Sequence, residues 1–306
     1  MKIRALWRGR LALAAAVLIW STPAIFQFWL AKSFDPWTQN FYRYSAGLVA
    51  MAPFVVWVRR RRLRESGRGE LLGCVIAALP NASHQVLQTM SVVLLWPGIY
   101  ALIGRSSVIL TALLAVVFFA DERWIARSMK FVLGTLLGMA GLAGLVLSPG
   151  THGGAISFPG VLLGLGAAAS WGLYAVLVKK FTVRGGPMLG SWTIGFFTTA
   201  LLFPAAMAWG DLSAPGRADA WTNFVLVFSG VISIGVGHWL YYVAIRELGA
   251  AISQTGLLLC PLGTVLLSSF LFGESFRAAQ VAAGLLLLFG AFLALSARPP
   301  VTPDPE

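Results

Sequence analysis

Ten apolar segments of about 20 residues, separated by short breaks of charged and turn-forming residues, constrain this chain most strongly. Only 11% of its residues are charged, whereas a soluble domain carries roughly 25%. The same low charge excludes a disordered chain, because disordered chains are polar and highly charged. The predicted spans are residues 11–30, 38–58, 71–94, 97–120, 131–148, 158–178, 187–209, 221–245, 249–272 and 278–297. We therefore expect an all-α polytopic membrane protein with ten transmembrane helices.

The first segment has two interpretations. Lys2, Arg4, Arg8 and Arg10 precede its apolar run, as in a cleavable signal peptide. However, the run at 11–30 is long for a signal core, and small residues at a cleavage site are not clearly placed. A retained first helix is the expectation.

The net charge of +12 raises the question of a nucleic-acid partner. When the predicted spans are threaded alternately, 18 of the 23 Lys and Arg residues fall on the side of the N-terminus, 3 fall on the other side and 2 lie within spans. Basic loops stay in the cytoplasm, so both termini are predicted to be cytoplasmic, in a bacterial cytoplasmic (inner) membrane. The cluster at 59–68 could also contact anionic membrane lipid. No nucleic-acid partner is expected.

The ten spans divide into two sets of five, predicted as repeats at residues 1–152 and 153–306. Similar residues recur at a nearly constant offset in the two sets. The matched pairs are Trp20 with Trp171 (151 apart), Glu122 with Glu274 (152 apart) and Gly138 with Gly290 (152 apart). An odd number of helices per repeat inverts the second repeat in the membrane. The pattern therefore predicts two inverted five-helix repeats around a central cavity.

The residues also resemble those of EamA-type transporters of the drug/metabolite transporter superfamily, over residues 10–297. The stretches that carry the resemblance are Trp20-Ser21-Thr22, Arg43-Tyr44, Ser170-Trp171-Gly172, 241–250, Pro261, 271–274, Gln280, Gly284 and Gly290. The first repeat departs from the pattern at Ser128, which stands where the second has Gln280. The resemblance implies ten helices, inverted repeats, a central substrate cavity and export of small metabolites or amphipathic compounds.

Polar side chains inside predicted spans are candidate functional groups, because polar groups are costly in a membrane. His84 and Gln88 are four residues apart in the third span, and His238 and Tyr242 are four apart in the eighth. Each pair therefore shares one side of a helix. The two histidines could face each other across a cavity, or they could bind carbonyl groups of neighbouring helices.

Two arginines fall within predicted spans. Arg105 is nine residues into the fourth span, where it could bind a substrate carboxylate or phosphate, bond carbonyls at a helix break, or reach the membrane surface. Arg43 is five residues into the second span, near the outer interface, and a structural role is expected for it.

Aromatic residues within the spans could stack on a substrate or hold a cation, although they are equally ordinary in a packed core. Combined with the polar groups, they give a predicted substrate-binding set of Trp20, His84, Gln88, Arg105, Trp171, Tyr174, His238, Trp239 and Tyr242.

All eleven acidic residues lie in loops, at span ends or in the tail, so no carboxylate is expected in mid-membrane. Many proton-driven carriers use a buried carboxylate, and its absence favours facilitated diffusion or exchange, with a histidine relay as the alternative. Glu122 and Glu274 are expected to cap the helices that follow them. Cys74 and Cys260 lack neighbouring ligands, so neither a metal nor a cofactor is expected.

The leading hypothesis is a secondary transporter, an exporter of amino acids or amphipathic metabolites, acting as a monomer or homodimer. A membrane-embedded lipid-modifying enzyme is the alternative, but the short loops carry no paired carboxylates and no HExxH motif. An accessory membrane subunit is the third hypothesis.

Overall fold

A computed structural model describes residues 2–61, 68–118, 123, 127–148, 156–181, 187–248, 253 and 256–296. Within these ranges the secondary structure is helical. The α-helices are α1 Lys2–Trp20, α2 Pro23–Leu30, α3 Pro36–Arg61, α4 Arg68–Leu95, α5 Pro97–Gly104, α6 Ser107–Phe118, α7 Met129–Leu147, α8 Phe158–Phe181, α9 Pro187–Trp209, α10 Ala220–Gly230, α11 Gly237–Leu248, α12 Cys260–Phe272 and α13 Ala278–Leu295. A short 3₁₀ helix covers Ala214–Gly216, and a π-helical segment, Val231–Val236, joins α10 to α11.

The distribution of side chains is that of a membrane protein. Six stretches are long and apolar enough to cross a bilayer: Leu6–Leu30, Met129–Leu147, Phe158–Val178, Met188–Trp209, Ala220–Ala244 and Ala278–Leu295. Large apolar side chains such as Leu147 and Phe270 are more than 80% exposed, whereas the polar side chains of Asn40 and Thr89 are fully buried and joined by a hydrogen bond of 2.9 Å. Lipid accommodates the first kind of surface, and internal hydrogen bonds must satisfy the second.

Two predicted spans are interrupted beside the same interior cavity, and a third, predicted at 249–272, breaks at the turn Leu258-Leu259 before α12. The span predicted at 11–30 breaks at Ser21-Thr22, between α1 and α2. Pro23, which has no backbone N–H, occupies the first turn of α2. The span predicted at 97–120 breaks at Arg105-Ser106, between α5 and α6. Both interruptions lie in the interior, where they leave polar backbone beside a cavity.

The backbones of helices α7 and α13 approach each other closely at glycine residues of both helices. A Cβ on Gly134 would meet the backbone of Gly290 and Ala294, and a Cβ on Gly290 would meet the backbone of Gly134 and Gly138. Residue numbers rise along α7 while those of its contacts fall along α13, so the two helices are antiparallel.

Glu274 caps a different helix from the one that the sequence predicted. Its side chain is 2% exposed and accepts hydrogen bonds from the backbone N–H groups of Gly98 (2.9 Å) and Ile99 (3.1 Å), at the start of α5, and from the hydroxyl of Ser268. It therefore caps α5 rather than the helix that follows it. The start of α13 is capped by Gln280, which accepts from the N–H of Arg277 (3.0 Å). Glu122 lies outside the described residues.

Candidate functional site

A cavity of about 120 Å³ lies where the two broken helices meet α4, α8 and the π-helical segment. It is bounded by the break after α1, by the break between α5 and α6, and by the start of α11. Six of the nine predicted site residues line it: Trp20, His84, Gln88, Arg105, Trp171 and His238. These residues come from four helices and from the break between α5 and α6, and they are up to 218 positions apart in the sequence.

Two tryptophans and two histidines form a nearly symmetric cluster in the wall of the cavity. The ring centres of Trp20 and His238 are 5.0 Å apart, and those of Trp171 and His84 are also 5.0 Å apart. Trp20 and Trp171 themselves meet edge to face at 6.1 Å. Each tryptophan therefore contacts the histidine of the other half of the chain, and the cluster presents ring edges and faces to the cavity.

Backbone carbonyls fix the orientation of both histidine rings. Nδ1 of His84 lies 2.9 Å from the carbonyl oxygen of Ala167, and Nδ1 of His238 lies 3.1 Å from that of Ile234. A carbonyl oxygen only accepts hydrogen bonds, so Nδ1 carries the proton in both rings. The histidines thus line the cavity and bind carbonyls at the same time.

Arg43 occupies an unexpected place for a residue predicted near the outer interface. It is 1% exposed and lines the central cavity. Its Nε donates to the hydroxyl of Ser229 at 3.0 Å. Gly230 lies directly against the backbone of Arg43, so the absence of a side chain there lets α10 close over α3 and bury the arginine.

Arg105 sits at the break between α5 and α6 and is partly buried. Like Arg43, it lines the central cavity. Within the described part of the chain, neither arginine is ion-paired to a carboxylate, and no Asp or Glu lines this cavity.

Two further polar groups, Gln27 beside the cavity and Thr264 in its lining, did not stand out in the sequence. Gln88 donates to Gln27 at 2.8 Å, and the side chain of Gln27 is fully buried in α2. The hydroxyl of Thr264 donates to the carbonyl oxygen of Ser21 at 2.8 Å. This hydrogen bond satisfies a backbone acceptor at the break after α1. Gln27 could have been selected because it is a polar residue within the first predicted span, whereas no feature of the sequence indicates Thr264.

The other three predicted residues lie away from the central cavity. Tyr174 and Trp239 border a second cavity of about 40 Å³, which shares His238 with the first. Tyr242 lines neither cavity, but its hydroxyl lies 3.3 Å from that of Tyr174. Trp239 is also 40% exposed and faces a surface groove beside Trp7.

Comparison with known proteins agrees with this architecture. The profile of the EamA-like transporter family matches residues 7–147 and 158–296. The uncharacterized transporter YvbV of Bacillus subtilis is 26% identical over 288 residues, which cover 92% of this chain and 85% of YvbV. An uncharacterized transporter of Clostridium kluyveri is 23% identical over 301 residues, covering 95% of this chain and 94% of that protein.

A solved crystal structure has the same fold, with a TM-score of 0.65 at 17% sequence identity, over 96% of this chain and 97% of its own. The family profile covers nearly the whole sequence in two successive matches, one to each half. This integral membrane protein belongs to the EamA-like transporter family.

Proposed function

We propose that this protein is a secondary transporter that exports small organic metabolites, such as amino acids or amphipathic compounds, by alternating access. The central cavity is the observation that carries the proposal. It is polar, lies in the protein interior and is bounded by two interrupted helices. Transporters built from repeats place their substrate site at such interruptions between the repeats.

Contacts between matched residues support two repeats related by a two-fold axis. A residue meets its own counterpart only close to such an axis. Trp20 meets Trp171, and Gly138 meets Gly290. The first pair lies at the central cavity and the second at the crossing of α7 and α13. We propose the boundary of the repeats at residues 152 and 153, a position that falls between the two family matches.

The antiparallel packing of matched helices supports the inversion. Helices α7 and α13 occupy the fifth and tenth spans of the proposed topology, and they run in opposite directions. Helices α3 and α9, in the second and seventh spans, also run in opposite directions: Leu48 contacts Gly195, whereas Thr38 contacts Gly210. Equivalent helices of inverted repeats must have this relation. Ten spans with both termini in the cytoplasm, in a bacterial inner membrane, complete the proposed topology.

The lining of the cavity favours facilitated diffusion or exchange over tight proton coupling. Its described lining holds no carboxylate. The buried carboxylate of Glu274 is engaged by the first backbone amides of α5. The volume of about 120 Å³ is slightly below that of a protein cavity that holds benzene. This size favours small metabolites as substrates.

Efflux from proteoliposomes tests the proposal. Vesicles containing the purified protein are loaded with a panel of labelled small metabolites, including amino acids, and efflux is compared with that of empty vesicles. We expect protein-dependent efflux of at least one compound. His84→Ala, Arg105→Ala and His238→Ala should each reduce it, whereas Phe270→Ala, which alters an exposed apolar side chain, should not. Wild-type rates in all three cavity variants would contradict the assignment of the site.

A further inference from the structure

The unsatisfied polar atoms around the central cavity are dominated by hydrogen-bond donors. Within the described residues, no hydrogen-bond partner exists for buried Nη1 of Arg43, for buried Nε of Arg105 or for the hydroxyl of Ser233. All three residues line the cavity. The guanidinium nitrogens can only donate, and the hydroxyl can either donate or accept. The cavity therefore presents unpaired hydrogen-bond donors, which a ligand rich in acceptors would satisfy.

The charges of the cavity also favour an anionic ligand. Two guanidinium groups line it, those of Arg43 and Arg105, and the planar fork of a guanidinium matches the oxygens of a carboxylate or phosphate. No carboxylate among the described residues lines the cavity or pairs with either arginine. A buried cation without a counterion is costly in a low-dielectric interior, and an anionic ligand removes that cost.

The break between α5 and α6 adds a third contribution. Ser107, the first residue of α6, lines the cavity beside Arg105. The hydroxyl of the preceding residue, Ser106, is buried without a hydrogen-bond partner in the described structure. The backbone N–H groups of Ser106 and Val108 are already bonded to carbonyl oxygens of the preceding turn, so the start of α6 contributes through the partial positive charge of a helix N-terminus, which favours anions.

From these observations we infer that the substrates are small organic oxyanions, carboxylates or phosphates, that carry no ammonium group. Arg43 and Arg105 bind the oxyanion, and the Trp20, Trp171 and histidine cluster contacts the remainder of the molecule. Zwitterionic amino acids fit less well, because no acidic side chain in the described lining would receive their ammonium group. This inference rests on the proposed transport function and narrows its substrate class.

Binding to a matched set of four-carbon compounds tests the inference. The full chain in lipid nanodiscs is titrated calorimetrically with butyrate, succinate, 2-aminobutyrate, butyramide and butylamine, at constant ionic strength. We expect butyrate and succinate to bind, 2-aminobutyrate to bind at least tenfold more weakly than butyrate, and the amide and amine to give no heat. Equal affinity for butyramide or butylamine would overturn the inference.

Variants assign the affinity to the two arginines. Arg43→Gln and Arg105→Gln should each weaken butyrate binding at least tenfold, whereas Arg43→Lys and Arg105→Lys, which retain the charge, should bind within a few-fold of wild type. Arg217→Gln, which removes an exposed arginine outside the cavity, is the matched control. The lysine variants keep the test valid where a glutamine variant does not fold. Unchanged affinity in folded glutamine variants would also overturn the inference.

Transport of the same compounds separates this inference from the proposed function. Protein-dependent movement of butyramide or butylamine, but not of butyrate or succinate, would overturn the oxyanion class and leave the transporter standing. Binding of butyrate without movement of any compound in either direction would contradict transport and leave the oxyanion site standing.

Discussion

At the scale of single residues, Glu274 joins the two halves of the molecule. Its carboxylate is buried against the first amides of α5 and the hydroxyl of Ser268. Glu274→Gln should lower the free energy of unfolding by about 2 kcal/mol, because charge-assisted hydrogen bonds are lost and an amide donor then faces backbone donors. Reversible unfolding in mixed micelles measures this effect.

Asp211→Asn is the control for that prediction, because it makes the same chemical change at an exposed carboxylate paired with Arg217. It should leave the free energy of unfolding almost unchanged, as is usual for surface ion pairs. Equal effects of the two substitutions would contradict the capping role of Glu274.

Some residues of the cavity could be predicted from the sequence and others could not, for a physical reason. Trp20 and Trp171 could be matched because the repeat preserves residue type and spacing. The position of Arg43 along its span indicated how deep it lies in the membrane, but not that its side chain lies in the protein interior. Its inward location depends on the close approach of Gly230, 187 residues away, and no local pattern encodes such a contact.

At the scale of elements, the crossing of α7 and α13 depends on glycine. Gly290→Ala should lower the free energy of unfolding by about 1–3 kcal/mol, because the added methyl group would overlap the backbone of Gly134 and Gly138. Thermal and denaturant unfolding in detergent measure the change. Gly216→Ala is the control, since no atom lies within 4 Å of the methyl group it adds. If both variants unfold alike, the crossing does not require glycine.

The π-helical segment sets the rotation of α11. A π-helical segment holds one more residue than an α-helix of the same path, and successive residues of an α-helix are about 100° apart. Inserting one alanine after Ile232 should turn α11 by about 100° and take His238 and Tyr241 out of their contacts with Trp20, whereas deleting Ile232 removes the extra residue and should leave those contacts in place. We expect helix content by circular dichroism to be unchanged in both variants, and transport to be lost only in the insertion variant. Retained transport in the folded insertion variant would contradict a role for this segment.

Interruptions of helices were the least predictable elements. Pro23 indicates one break, yet the sequence is apolar on both sides of it, so a single continuous span was predicted there. The break at Arg105-Ser106 has neither a proline nor a pair of glycines, and its only local signal is the short polar stretch 104–107 between two apolar stretches. Only the cavity, with its polar groups from other helices, makes exposed backbone tolerable there.

At the scale of the whole molecule, the proposed topology predicts the sidedness of chemical labelling. In a chain carrying Cys74→Ala and Cys260→Ala, cysteines at the exposed positions Ser33 and Ser213 should react with a membrane-impermeant maleimide added to intact cells. A cysteine at Asp304 should react only after the cells are opened. The opposite pattern would reverse the topology.

The helical membrane architecture and its two-repeat organisation were accessible from the sequence because apolar length and repeat spacing are one-dimensional signals. The family resemblance that those residues carried is confirmed by the family match. The arrangement of the cavity was not accessible, because it depends on which helices pack together across the two halves, as α4 does with α8 and α1 with α11.

The central claim is that solute passes through the cavity between the repeats. A single cysteine at Ser107, in the chain without Cys74 and Cys260, tests it in proteoliposomes of known orientation with a small impermeant thiol reagent. Alternating access predicts that the reagent modifies this cysteine from either side of the membrane, that modification blocks transport, and that transported solute slows the reaction. Failure to react from either side, or reaction that leaves transport at the wild-type rate, would contradict it.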